Sequence, residues 1–136
     1  MLNSIDLFAG CGGMTLGFAW AGFNSVLASD IDENCRKTFA TNFPEIPFIC
    51  GDISSLRKDD FDSIVSMKEI DVIIGGPPCQ GFSLANKKRN IISEDPRNKL
   101  FYDFVKTINW YNPKAFVMEN VKGLLSMESG KVINQI

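Results

Sequence analysis

Short apolar runs and helix-like patterns alternate along this chain of 136 residues. Apolar runs bounded by Gly, Pro, Asn or Asp are typical of buried strands, and apolar residues that recur every three or four positions are typical of amphipathic helices. The pattern predicts strands at residues 4–9, 25–28, 47–50, 71–74 and 115–118. It predicts helices at residues 14–21, 33–42, 54 to about 67, 99–110 and from about 123 onward.

This alternation predicts an α/β fold, with a doubly wound, mostly parallel sheet and helices on both faces. The length favours a single domain over residues 1–136. In such sheets, ligands bind beyond the carboxyl ends of the strands. A chemically suggestive residue follows each predicted strand, so we expect one shared site formed by Gly10, Asp30, Asp52, Cys79 and Glu119.

The composition disfavours several other classes of protein. No apolar run approaches the length that spans a membrane, and the N-terminus lacks the pattern of a signal peptide. The chain has four cysteines without C-x-x-C spacing and no histidine. We therefore expect neither a metal site nor a disulfide framework, and a reducing cytoplasm as the setting.

Charge is distributed unevenly along the chain. Residues 1–83 carry five Lys or Arg and eleven Asp or Glu, whereas residues 84–136 carry nine and five. The basic half opens with Lys87, Lys88 and Arg89, inside a predicted loop over residues 76–96. A solvated loop is the ordinary interpretation of such a triplet. A loop of this length beside a candidate site is also typical of a binding loop, so contact with nucleic-acid phosphates is expected.

A glycine-rich turn at residues 10–13 joins the first strand to the first helix, which permits close approach to a ligand. The match to the dinucleotide fingerprint is imperfect, because Thr15 stands where that fingerprint has a glycine. Asp30 is placed to accept hydrogen bonds from ribose hydroxyls, and Asp52 from an adenine amino group. Helix capping is the alternative role, and Asp32 is the best candidate for it. Acidic groups without nearby Lys or Arg favour a nucleoside that carries a sulfonium rather than phosphates.

Cys79 lies in the segment GGPPCQGFS at residues 75–83, directly after an apolar run. A small buried residue is the common role of a free cysteine, but the neighbouring Pro77, Pro78 and Gln80 are poor core-formers. Without histidine, Cys79 cannot belong to a Cys-His pair. If it is a nucleophile, its target must be activated in another way, as a protonated pyrimidine ring is. Glu119 has a capping or surface role as its alternative, but beside Cys79 it can hold or deliver the proton.

Four segments together resemble the motifs of the cytosine-C5 DNA methyltransferases. Residues 6–17 resemble the motif that binds S-adenosylmethionine, and residues 76–83 (GPPCQGFS) resemble the catalytic motif. Residues 95–101 (DPRNKLF) and 119–123 (ENVKG) are similar to a third and a fourth motif. Each segment alone is weak evidence, but four in order make the resemblance specific.

The resemblance implies a Rossmann-like methyltransferase fold, S-adenosylmethionine as the methyl donor and S-adenosylhomocysteine as the product. Cys79 would attack C6 of a cytosine flipped out of duplex DNA, and Glu119 would bind the base edge and protonate or hydrogen-bond N3. The expected cofactor contacts are Phe8, Ala9, Gly10, Gly12, Gly13, Leu16, Asp30, Ile31, Asp52, Ile53, Pro78 and Leu100. The expected nucleic-acid contacts are Gln80, Ser83, Lys87, Lys88, Arg89 and Arg97.

Members of this family are more than twice as long, so the chain resembles the N-terminal part of their catalytic domain. A second polypeptide that supplies the later motifs and target recognition is therefore a possible partner. The expected setting is bacterial restriction–modification. Two alternatives stay open: a tRNA cytosine-C5 methyltransferase, although residues 80–83 (QGFS) resemble the DNA branch, and a non-catalytic cofactor-binding subunit of a split enzyme.

Overall fold

A computed structural model describes residues 1–78 and 100–120 of the chain. Within these ranges, strands and helices alternate as the sequence predicts. The strands are β1 (Asn3–Leu7), β2 (Asn24–Asp30), β3 (Phe48–Cys50), β4 (Val72–Gly75) and β5 (Ala115–Met118). The helices are α1 (Gly13–Trp20), α2 (Glu33–Asn42), α3 (Lys58–Val65) and α4 (Leu100–Tyr111). None of the described helices has the length and apolar character needed to cross a membrane.

The five described strands form one parallel sheet in the order β3-β2-β1-β4-β5. The predicted α/β class with a parallel sheet is therefore confirmed. Asp6 on the central strand pairs with Ala28 of β2 and Ile74 of β4. The chain moves outward from β1 to β3 and then returns to place β4 on the other side of β1. The loops after β1 and β4 diverge at this switch point, which is where open α/β sheets bind their ligands.

Side chains alternate between the two faces of β1, and helices cover both faces. Ile5 and Leu7 lie in a buried apolar cluster with Phe61 of α3 and Phe104 of α4. Asp6 points to the opposite face, because successive residues of a strand alternate, and it accepts a hydrogen bond from Thr15 of α1. Helices α3 and α4 therefore pack on one face of the sheet and α1 on the other.

The predicted bounds differ from the structure at two places that matter for the site. Strand β1 ends at Leu7 rather than at residue 9, because Phe8 adopts a positive φ of 58° that an extended strand does not allow. Helix α3 begins at Lys58 rather than near residue 54, because Asp52 holds the preceding residues in a turn through Ser54 and Ser55. The helix predicted from about residue 123 and most of the predicted loop at residues 76–96 lie outside the described residues.

Candidate functional site

A cavity of about 630 Å³ opens at the carboxyl ends of β1 to β4. Phe8 follows β1, Asp30 ends β2, Asp52 follows β3 and Gly76 follows β4. This is the position that the parallel sheet predicts for a ligand. The described residues that line the cavity are Phe8, Ser29, Asp30, Ile31, Gly51, Asp52, Ile53, Ser54, Gly76, Pro78, Leu100 and Asp103.

The glycine-rich turn stands at the edge of this cavity in a conformation that requires glycine. Gly10 has a φ of 54° and Gly12 a φ of 94°, both in the left-handed region. A Cβ on Gly12 would lie 2.5 Å from a ring carbon of Phe43 and 3.0 Å from one of Phe39. The turn is therefore packed directly against α2, so its shape is fixed by both backbone conformation and contact.

The Asp30 carboxylate connects the turn to the start of α2. Its Oδ2 accepts a hydrogen bond from the backbone N–H of Gly10 at 2.9 Å. Its Oδ1 accepts one from the N–H of Asp32 at 3.0 Å. Asp32 in turn caps α2 by accepting from the N–H of Asn34 at 2.7 Å, which confirms the predicted capping residue. Asp30 is therefore not the cap, and its half-buried side chain lines the cavity.

Asp52 is held by its own turn. Its Oδ1 accepts hydrogen bonds from the N–H of Ser54 at 2.9 Å and from the Ser54 hydroxyl at 2.8 Å. These bonds, the backbone bond first, hold the pKa of the Asp52 carboxyl below its ordinary value. A fixed, ionised acceptor therefore stands at the end of β3.

The end of β4 approaches its neighbours without room for a side chain. A Cβ on Gly75 would lie 2.2 Å from the carbonyl oxygen of Leu7, and one on Gly76 would lie 3.0 Å from Oε2 of Glu119. The N–H of Glu119 donates to the carbonyl of Gly75 at 2.9 Å. Glu119 is exposed and stands beside the segment that leads to Cys79. Pro77 is buried, contrary to the expectation that this residue is a poor core-former.

The lining of the cavity combines carboxylates with apolar side chains. Asp30, Asp52 and Asp103 supply its carboxylates, and Lys106 donates to Oδ1 of Asp103 at 2.8 Å. Neither Lys nor Arg is among the described residues that line it. Sequence reasoning missed Asp103, although its position one turn after Leu100 in α4 was a signal that both face the same side. It also missed Ser29, Gly51, Ser54 and Gly76, which neighbour predicted residues along the chain.

Seven of the twelve expected cofactor contacts line the cavity: Phe8, Asp30, Ile31, Asp52, Ile53, Pro78 and Leu100. The other five belong to the turn and α1 and do not line it in the described part of the chain: Ala9, Gly10, Gly12, Gly13 and Leu16. Cys79 and all six expected nucleic-acid contacts lie outside the described residues. In residues 1–78 and 100–120, no group of three metal-ligating side chains comes together. The roles of all these residues stay predictions.

Beneath the turn lies a carboxylate that the sequence reading did not single out. Asp6 is fully buried, and its Oδ2 accepts from the Thr15 hydroxyl at 2.6 Å. Its Oδ1 is buried and has no hydrogen-bond partner among the described residues. Burial, and to a smaller degree the charge of Asp30, raises the pKa of Asp6 to about 6 despite the bond from Thr15.

Proteins similar to this chain are methyltransferases. The chain is 49% identical over 128 residues to the type II methyltransferase M.DdeI of Desulfomicrobium norvegicum, covering 94% of this chain and 30% of that protein. It is 43% identical over 135 residues to the type II methyltransferase M1.HphI of Haemophilus parahaemolyticus, covering 99% and 36%. A crystal structure described as a DNA modification methyltransferase encoded within an E. coli prophage matches with a TM-score of 0.83 and 38% identity, covering 99% and 36%.

The chain thus spans about a third of the length of these relatives. The profile of the C-5 cytosine-specific DNA methylase family matches residues 2–136, which is nearly the whole sequence. The chain belongs to the C-5 cytosine-specific DNA methylase family.

Proposed function

We propose that residues 1–136 are the N-terminal part of the catalytic domain of a DNA cytosine-C5 methyltransferase that acts in bacterial restriction–modification. The observation that carries this proposal is the acidic, apolar cavity at the carboxyl ends of the strands. Carboxylates at two strand ends suit the hydroxyl and amino donors of a nucleoside, and acidic lining suits a cation better than a phosphate. Enzymes of this family depend on S-adenosylmethionine, which is such a nucleoside.

S-adenosylmethionine would supply the methyl group, activated by its positive sulfur. Asp30 would accept from the ribose hydroxyls and Asp52 from the adenine amino group, while Phe8, Ile53 and Leu100 would pack against the base. The fixed position of Asp52 supports this role, because an acceptor already held by Ser54 loses little conformational freedom on binding. The remaining predicted contacts in the turn and in α1 would approach the methionine part.

Chemistry on the cytosine would fall to Cys79, three residues after Gly76 in sequence, and to Glu119, whose carboxylate lies beside Gly76. Cys79 would add to C6 of the flipped base, and Glu119 would bind N3 and hold its proton, which makes C6 electrophilic. After methylation, loss of the C5 proton and departure of the Cys79 sulfur would restore the ring. Support comes from the closeness of Gly76 to the Glu119 carboxylate, since Gly76 leads into the segment that contains Cys79.

Duplex DNA is the proposed substrate and the bacterial cytoplasm the proposed location. The basic triplet Lys87, Lys88 and Arg89, with Gln80, Ser83 and Arg97, would contact the DNA. The chain spans about a third of the length of its relatives. We therefore also propose that a second polypeptide supplies the later motifs and target recognition.

Two measurements test the proposal in sequence. Calorimetric titration of the chain with S-adenosylhomocysteine, with NAD as the control ligand, should show saturable binding of the first alone. Asp30→Ala should weaken that binding by about 10- to 100-fold, as expected for loss of hydrogen bonds to a charged acceptor. Asp59→Ala, an exposed carboxylate in the first turn of α3, should leave it unchanged. Equal affinities of both variants would contradict the assigned cavity.

The second measurement addresses the reaction in the intact enzyme that contains this chain. Cys79→Ala should abolish methyl transfer to duplex DNA and covalent trapping on DNA that contains 5-fluorocytosine. Cys50→Ser should retain both activities, since that exposed cysteine does not line the cavity. Methyl transfer by the Cys79→Ala variant would refute the role of Cys79, and transfer to tRNA but not to DNA would refute the proposed substrate.

A further inference from the structure

Two cysteines outside the predicted chemistry lie close together where the glycine-rich turn packs on α2. Cys11 is exposed in the glycine-rich turn, and Cys35 is half-buried in the first turn of α2. The Cys11 thiol lies close enough to contribute to the raised pKa of the Cys35 thiol. The residues are 24 positions apart in sequence, so the fold brings them together.

Packing of the turn on α2 supports this contact independently. Gly12, next to Cys11, lies directly against the rings of Phe39 and Phe43. Cys35, Phe39 and Phe43 are spaced by four residues, so they share the face of α2 that meets the turn. The Asp30 carboxylate holds the same two elements together, through Gly10 on one side and the start of α2 on the other.

We propose that Cys11 and Cys35 are a redox pair that closes a reversible disulfide between the glycine-rich turn and α2 when the chain meets hydrogen peroxide. Exposure makes Cys11 the residue that the oxidant reaches first. Cys35 is the resolving residue, since burial and then the neighbouring Cys11 thiol raise its pKa to about 11 and keep it a thiol. This inference rests on the fold alone and does not require the proposed activity.

The two steps balance in atoms and electrons. The Cys11 thiolate attacks one peroxide oxygen, which breaks the O–O bond, forms a sulfenic acid and releases hydroxide. The Cys35 sulfur then attacks the Cys11 sulfur, and the S–O bond breaks as the S–S bond forms. The proton of Cys35 leaves with the departing hydroxyl as water. Two thiols are oxidised to one disulfide, and one peroxide is reduced to two waters.

Peptide mapping of the peroxide-treated, folded chain tests the proposal. Arg36 is the first Lys or Arg, so trypsin releases residues 1–36 as one peptide that contains Cys11 and Cys35 and neither of the other cysteines. We expect the mass of this peptide to decrease by the mass of two hydrogen atoms. Chymotrypsin, cutting after Trp20 or Phe23, should then leave its two halves linked until a thiol reductant separates them.

Three comparisons make the result decisive. Cys35→Ser should prevent the link and leave Cys11 to gain oxygen atoms, whereas Cys50→Ser should leave the link intact. Cys50 is the matched control because it is exposed nearby but directs its thiol to the carbonyl of Ile31. Urea-unfolded chain should lose the preference for this pair. Oxygen gain in place of hydrogen loss, a link from Cys11 to Cys50, or no product in the folded parent chain would overturn the proposal.

Discussion

Replacing Asp6 by Asn should remove a pH dependence of stability that arises beneath the candidate site. Asp6 stands on the central strand without solvent exposure, and Thr15 is its hydrogen-bond donor. Burial disfavours the charged carboxylate and raises its pKa from 3.8 to about 6. Asn is close in shape and keeps an oxygen for Thr15, so the substitution removes the titration while preserving that contact.

The size of the effect follows from the difference in pKa. The pKa of Asp6 is about 6 in the folded chain and 3.8 for an ordinary aspartate, so the two values differ by roughly two. At about 1.4 kcal/mol per unit, the linked free energy is about 3 kcal/mol. The folded state binds the proton more tightly than the unfolded state, so its stabilisation is fully present below about pH 4. It is lost as the pH rises through about 6, where the buried group must ionise.

Urea unfolding at pH 4, 5, 6 and 7 measures this difference. The parent chain should lose about 2–3 kcal/mol of unfolding free energy relative to Asp6→Asn between the lowest and the highest pH. The free energy of burying the amide in the Asp6→Asn variant does not depend on pH, so it does not contribute to this change. Equal pH profiles of the two proteins would refute the reasoning. Asp71→Asn is a control with the opposite pH dependence, because Lys114 and the N–H of Asn3 lower the Asp71 pKa. The unfolding free energy of the parent chain relative to this variant should therefore fall as the pH falls.

Three further substitutions probe α1 and the end of β4. Thr15→Val should lower the unfolding free energy by about 1–3 kcal/mol and shift the Asp6 titration to higher pH, since it removes the hydroxyl that donates to a buried carboxylate. Urea titrations over pH measure both effects. Gly75→Ala should destabilise by about 3 kcal/mol or more, because its Cβ meets a backbone carbonyl that cannot rotate away. Gly17→Ala, in open space on α1, should instead raise the thermal midpoint.

The positions of the strands along the chain were predictable, because buried parallel strands appear in the sequence as short apolar runs. The runs that became β2, β3, β4 and β5 are short and apolar, and a Gly, Pro, Asn or Asp lies at or near an end of each. Two element ends were not predictable, because they depend on specific local geometry. A positive φ at Phe8 ends β1, and the hydrogen bonds that Asp52 accepts delay α3. Neither feature changes the hydrophobic pattern from which the elements were predicted.

Asp30 and Asp52 were predictable as cavity residues, because they are polar side chains at the carboxyl ends of parallel strands, where ligands bind. Asp103 lines the same cavity from a helix, and its place there depends on how α4 packs on the sheet. The close contact of Gly75 with Leu7 depends on the register of two strands that are distant in sequence. Burial of Asp6 follows from the fold rather than from its neighbours in sequence, because helices cover both faces of a parallel sheet and a central strand then has no solvent-facing side.

The hydrogen bonds of Asp30 connect the shape of the turn to the predicted ribose contact. An ionised carboxylate offers roughly four lone-pair sites. Two of them accept from the N–H groups of Gly10 and Asp32, which leaves the others for hydroxyl donors from the cavity. One side chain therefore both fixes the glycine-rich turn and lines the cavity. It follows that any movement of the turn relative to α2, including the proposed link between Cys11 and Cys35, changes the position of the acceptor that the ribose would meet.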